Sequence, residues 1–205
     1  LDPLDQRNVS YLLWMLLGFM LVTAALVVTF GRLGDIQGRV RIYNLGFLVF
    51  ALASIALSLV PWEGAAGAEW LIAWRAVQAV GAAMLMANST AILTDAFPVH
   101  QRGTALGINQ IAAIAGSFLG LVIGGVLSEW HWRAVFWVSV PFGVAGAIWS
   151  YLSLHEVGQR HKGKLDLPGN LTLALGLGLL LGAVTYGLQP YGSSPMGWGN
   201  PWVVA

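Results

Sequence analysis

Two things are scarce in these 205 residues: cysteine, of which there is none, and charge, which occupies only 9% of positions. Without cysteine there is no disulfide framework and no thiolate site for zinc or an iron–sulfur cluster. The four histidines have no metal-ligand spacing among them, so no metal is expected. A soluble domain carries about 25% charged residues. A chain that is 57% hydrophobic and only 9% charged cannot cover its apolar residues with a polar surface. No basic patch speaks for nucleic acid, and a net charge of +1 says nothing about partners. A nucleophile with its base, a carboxylate pair and a phosphate-cradling loop are all missing from the pattern, so neither an enzyme nor a cofactor is expected. The chain opens Leu1-Asp2-Pro3, without Met or a basic segment. We therefore expect no cleavable signal peptide, and expect the chain to be truncated.

What is there is long apolar runs. About 20 residues of helix cross about 30 Å of hydrocarbon. Six runs of that order occur, at Asn8–Phe30, Tyr43–Val60, Leu71–Phe97, Ala105–Leu127, Trp132–Leu154 and Asn170–Leu188, and a seventh could begin at Trp202. The fold class expected is therefore all-α, a polytopic transmembrane helical bundle embedded in a lipid bilayer. The hydrophilic stretch Lys162–Pro168 marks a boundary. Residues 1–155 are expected to hold a bundle of five spans, and residues 156–205 a linker, a sixth span with Gly176, Gly178 and Gly182, and a loop.

Charge placement sets the orientation. The connections after the first, third and fifth spans carry Arg32, Arg39, Arg41, Arg102, Arg160, Lys162 and Lys164, seven of the ten Lys and Arg. The opposite connections carry Glu63, Glu69 and Glu129 with Arg133. The positive-inside rule then makes the first set cytoplasmic and puts both chain ends outside. Trp62, Trp70, Trp74, Trp130, Trp132, Trp198 and Trp202 fall at the expected outer ends, as an interfacial belt does.

The stretch that organises the chain is Gly31–Arg41, GRLGDIQGRVR. It reads as a tight turn at the cytoplasmic surface. Gly31, Gly34 and Gly38 let two helices end and restart closely, and Arg32, Arg39 and Arg41 hold the turn inside. Asp35 sits among cations, able to make a charge-assisted contact with the end of another helix. Asp95 and Arg102 flank the next cytoplasmic turn, DAFPVHQRG. They are either solvated surface charges or members of one network with Asp35 and Arg39.

Two further stretches stand out. Arg75 lies within an apolar helix, where an arginine at the bilayer centre costs about 2.5 to 3.5 kcal/mol. It either snorkels to the interface or faces a cavity. Gln78 and Ser89 fall within about 60° of it on a helical wheel, giving one polar face suited to a lumen, and Asn109 on the following span could line the same pore. Gly116, Gly120 and Gly124 repeat at i+4, with Gly125 beside them. The doubled G-x-x-x-G stripe lets another helix approach closely. It serves either ordinary packing or a contact where two bundles slide. His131 and Arg133 read as interfacial anchors, His155 and His161 as solvated linker residues.

Taken together, these segments resemble the major facilitator superfamily of secondary transporters. GRLGDIQGRVR resembles its cytoplasmic signature G-x-L-x-D-R-x-G-R-K/R, WRAVQAVGAA its fourth-helix arginine motif, and GSFLGLVIGG its antiporter pattern G-x-x-x-G-P-x-x-G-G. WRAVFWVSVPFG and KLDLPG are similar to the fourteen-helix drug/proton antiporter branch. Ile36 stands where the signature has Arg, and Leu121 where the antiporter pattern has Pro. The resemblance implies that the five spans are family helices 2 to 6, with the first helix and the rest of the transporter absent from this chain. It also implies alternating access, with a small-molecule solute and protons as partners. Gly31, Asp35, Gly38, Arg39 and Arg41 would then form a conformational latch, Arg75 would serve proton coupling or cavity electrostatics, and the glycine stripe would be a moving interface.

Overall fold

A computed structural model describes residues 6–158, 165–187 and 196–204. Helix is the only regular structure among them: α1 (Gln6–Gln37), α2 (Arg39–Ser58), α3 (Gly64–Ala96), α4 (Val99–Trp130), α5 (Ala134–Ser153), α6 (Leu167–Gly187) and the single turn α7 (Pro201–Val204). The first six are each long and apolar enough to cross a membrane. Arg160, His161, Lys162, Lys164 and residues 188–195 lie outside the described residues, as does the side chain of Trp202.

The helix ends follow from local chemistry. α1 runs on through Gly31, Gly34 and Asp35, so most of the expected turn is helical. One extra intrahelical hydrogen bond per residue makes extension easy once a helix exists. Only Gly38 breaks it, at φ 113°, a conformation that a side chain would oppose. The ladder resumes at once, with Gly38 N–H on Gly34 O and Ile42 N–H on Gly38 O. α3 stops at Ala96 because Phe97 precedes Pro98 and is pushed extended. Asp166 caps α6, accepting the Gly169 amide at 3.0 Å.

α2 and α3 pack most closely, through small residues. A Cβ on Gly81 would meet the Phe50 amide nitrogen at 2.7 Å and the Gly46 carbonyl at 2.8 Å. Ala53, Ala79 and Ala83 are fully buried along the same seam. α1 packs on α3, α5 on α2, and α6 on α1. One end of the bundle gathers Trp62, Trp70 and Trp74 in a row of ring contacts, with Trp132 against Phe136. The other end gathers Asp35, Arg39 and Asp95. We call these the tryptophan end and the arginine end.

Candidate functional site

At the arginine end, Arg39 is the first residue of α2 and holds two carboxylates. Its Nη2 and Nε donate to Asp35 Oδ1 at 2.8 and 3.0 Å, and its Nη1 donates to Asp95 Oδ2 at 2.8 Å and to Ala91 O at 3.3 Å. Three helices thus meet on one guanidinium. The charges sit where their own helices disfavour them. Asp35 and Asp95 occupy the last turns of α1 and α3, next to the negative dipole end, and Arg39 opens α2 at its positive end. Arg39 is stabilised by the two aspartates and each aspartate by Arg39, against the dipole of its own helix. All three keep about a quarter of their side-chain surface in contact with solvent, so each pair contributes only about 0–1 kcal/mol. The knot is specific in geometry and modest in energy.

A fourth member comes from beyond α5. Glu156 accepts the Arg39 amide on Oε1 at 2.9 Å and the Val40 amide on Oε2 at 3.2 Å. It thereby satisfies two of the orphan donors at the start of α2 and complements that helix's dipole. Gly158 lies against the Asp95 carboxylate, where a side chain would clash. A cavity of about 190 Å³ among Arg39, Asp95, Ser153, His155 and Glu156 marks where the segment after α5 closes over the knot.

Other residues expected here are placed differently. Arg102 does not join: its Nε donates to Phe97 O at 3.1 Å, rounding off the turn it follows. Arg41 is exposed and turned away into a groove between α2 and α5. Gly31 is an ordinary helical residue with room for a methyl beside Ala87. Among these glycines, Gly38 is the one whose backbone requires glycine.

About a third of the way along α3, Arg75 Nη1 donates to Gln78 Oε1 at 2.8 Å, and Gln78 Nε2 donates to Ser54 Oγ at 2.8 Å. The guanidinium lies 4.3 Å from the centre of the Phe19 ring of α1, a cation–π contact. No carboxylate faces it among the described residues. Gln78 is 2% exposed, so it is polar glue between α3 and α2 and does not line a lumen. Ser89 is half-buried and makes no hydrogen bond among the described residues. Its neighbour Asn88 is the buried one, donating to Met84 O at 2.9 Å and Phe30 O at 3.4 Å and packing on Gly34. Asn109 lines a separate groove between α3 and α4, beside Phe97 and Gln101.

Gly116, Gly120 and Gly124 face an apolar cavity of about 430 Å³ bordered by Phe47, Phe50 and Phe142. Nothing lies within 4 Å of where a Cβ would stand on these three or on Gly125. The close helix contact expected of the stripe is not made within the described residues. At the tryptophan end, Arg133 is more than an interfacial anchor: its Nη2 donates to Val60 O at 3.1 Å, just past the end of α2.

The sequence profile of the Major Facilitator Superfamily matches residues 6–205. The riboflavin transporter RibZ of Clostridioides difficile is 34% identical over 82% of this chain and 36% of its own length. An MFS-type transporter of Mycobacterium tuberculosis is 34% identical over 98% of the chain and 33% of its own length. The multidrug resistance protein Stp of the same organism is 31% identical over 86% and 32%. The chain spans about a third of the length of these curated relatives. With six membrane-capable helices packed as described and the profile matched across almost the whole sequence, the chain is a multi-pass membrane protein that belongs to the major facilitator superfamily.

Proposed function

We propose that the chain is part of a secondary transporter that exports amphipathic, drug-like solutes in exchange for protons by alternating access, with its arginine end in the cytoplasm. The observation that carries this reading is the knot on Arg39. Alternating access needs a tie that holds one state firmly enough to select it and weakly enough to release it. An arginine that holds two carboxylates, each placed against its own helix dipole and part-exposed to solvent, has that property. The name of the relative Stp supports multidrug export. In this reading Asp35, Gly38 and Arg39 are the latch, with Arg41 beside it at the surface. Asp95 is the partner on α3, Arg75 sets the electrostatics of the solute path, and the glycine stripe meets helices outside this chain.

The test is Asp35→Asn in the longer transporter of which this chain would be part. We expect export to fall at least tenfold and the balance of inward- and outward-open states, read by accessibility of single introduced cysteines, to shift. Unaltered export together with an unaltered balance would remove the latch. For Arg75→Ala we expect loss of the proton dependence of flux. Proton-driven export equal to the parent's would leave Arg75 as a packing residue on Phe19.

A second reading has one specific support, the riboflavin transporter among the relatives: a facilitator or symporter for a small organic solute. Flux in vesicles with and without a proton gradient separates the two. The third, a transport-inactive membrane fragment, applies to these 205 residues alone, because rocking needs a second bundle. Saturable flux by the reconstituted chain would refute it.

A further inference from the structure

Four grooves and cavities on this bundle have been described, and they differ in charge. The one on the glycine stripe and the one beside Asn109 have no charged residue in their walls. The small one over the knot holds Arg39 with the carboxylates of Asp95 and Glu156. The fourth, about 530 Å³ between α2 and α5, holds a cation and no acid.

Its floor and its mouth are chemically distinct. Arg41, Asn44, Leu45 and Leu48 follow one another at i, i+3, i+4 and i+7 on one face of α2; Ile148 and Tyr151 face them from α5. Leu45, Leu48 and Ile148 are 42%, 51% and 56% exposed, a strip of hydrocarbon open to the surroundings of the bundle. At the arginine end of the strip stand three donors. The Arg41 guanidinium makes no ion pair or hydrogen bond among the described residues. The Asn44 carbonyl oxygen accepts from the Ser150 hydroxyl, which leaves its two amide hydrogens free among the described residues. The Tyr151 hydroxyl likewise has no partner there. The amides at the start of α2 are taken by Glu156, so an anion arriving here would meet the side chains.

We propose that this groove binds an anionic phospholipid of the leaflet at the arginine end, with one acyl chain along Leu45, Leu48 and Ile148. Its phosphate is held by Arg41, with Tyr151 and the Asn44 amide as additional donors. A guanidinium forks onto phosphate oxygens in two parallel hydrogen bonds, and the membrane face of the groove excludes most occupants other than lipid. The inference does not rest on the transport reading.

The experiment is native mass spectrometry of the full chain released from detergent, titrated separately with dioleoylphosphatidylglycerol and dioleoylphosphatidylcholine. We expect the anionic phosphatidylglycerol to be retained preferentially, and Arg41→Gln to weaken that retention about fivefold, the change that one lost interfacial cation gives. Arg32→Gln, an exposed cation at the same end and outside the groove, is expected to leave it unchanged. Leu48→Trp, which fills the strip without touching charge, is expected to weaken retention of both lipids. Circular dichroism of each variant verifies its helix content. Equal retention of the two lipids by the unmodified chain would overturn the proposal. So would equal losses in Arg41→Gln and Arg32→Gln, which would reduce the effect to general attraction at a basic surface.

Discussion

Helices α2 and α4 have nearly the same composition class and opposite situations. Of the 20 residues of α2, eight are buried; of the 32 in α4, only Ala105 is. α2 is also held at both ends by its neighbour α5. Glu156, just past α5, takes the amides of Arg39 and Val40, and Arg133, just before it, holds the carbonyl of Val60. An acid at the positive end and a base at the negative end complement the dipole of α2 over its whole length. Between them run the hydrogen bond of Ser150 to Asn44 and the close approach of Gly143 to Ala51. α4 has none of this. It touches its sequence neighbours near its ends and leaves its glycines open. In a bilayer there is no hydrophobic drive to press one helix on another, so small-residue packing and polar contacts decide which helices stay together. On that physics α1, α2, α3 and α5 form the fixed part, and α4 is the membrane-capable helix least engaged by its neighbours among the described residues.

The largest effect expected from breaking this contrast is at Gly81. A methyl there meets backbone atoms of α2 at 2.7 and 2.8 Å, and backbone cannot turn aside as a side chain tip can. Gly81→Ala should lower stability by about 1–3 kcal/mol, the usual cost of overpacking, seen as an earlier thermal unfolding transition in detergent and lower folded yield. An unchanged melting curve would mean that the α2–α3 seam is looser than its geometry implies.

A smaller effect is expected at Glu156. Replacing a capping side chain by alanine costs about 0.5–2 kcal/mol, and this one is solvent-exposed, which favours the lower end. Glu156→Ala should therefore shift unfolding slightly and speed hydrogen exchange selectively at the amides of Arg39 and Val40. The amide of Ile42, bonded to Gly38 O, should keep its protection. Uniform acceleration along α2 would show that Glu156 supports the fold generally and does not act as a cap.

The sequence is uneven about these features, for physical reasons. Six spans can be read from it because bilayer thickness turns length and apolarity into a direct criterion. The meeting of Asp35, Arg39 and Asp95 is foreseeable as charges near helix ends at one surface, yet Arg102 meets the same description and turns back on Phe97 instead. Glu156 has no such cue: its cap on α2 reaches across 117 residues, and no spacing rule connects them. The arginine face of α3 shows another limit. A helical wheel tells which residues share a face, but what that face meets depends on the neighbouring helix. Ser54 claims Gln78, and Gly34 admits Asn88, a residue the wheel does not single out. The eleven-residue turn shrinks to the single residue Gly38 because glycine merely weakens a helix elsewhere and ends it only where φ is positive.

The smallest effect on folding, and the sharpest test of the contrast, is expected from Gly120 on α4. No atom lies within 4 Å of its missing side chain, so Gly120→Leu should leave the stability of this chain within about 0.5 kcal/mol of its parent, as for a surface position. In the proposed transporter the same residue belongs to a face that another bundle must approach and leave, and a leucine there would hold the helices apart. Export should then fall while folding and membrane insertion do not. A change that spares the fold and stops transport would place the partner of α4 outside this chain. Full export by Gly120→Leu would mean that the stripe faces lipid throughout the cycle, and that the open side of α4 is simply its boundary with the membrane.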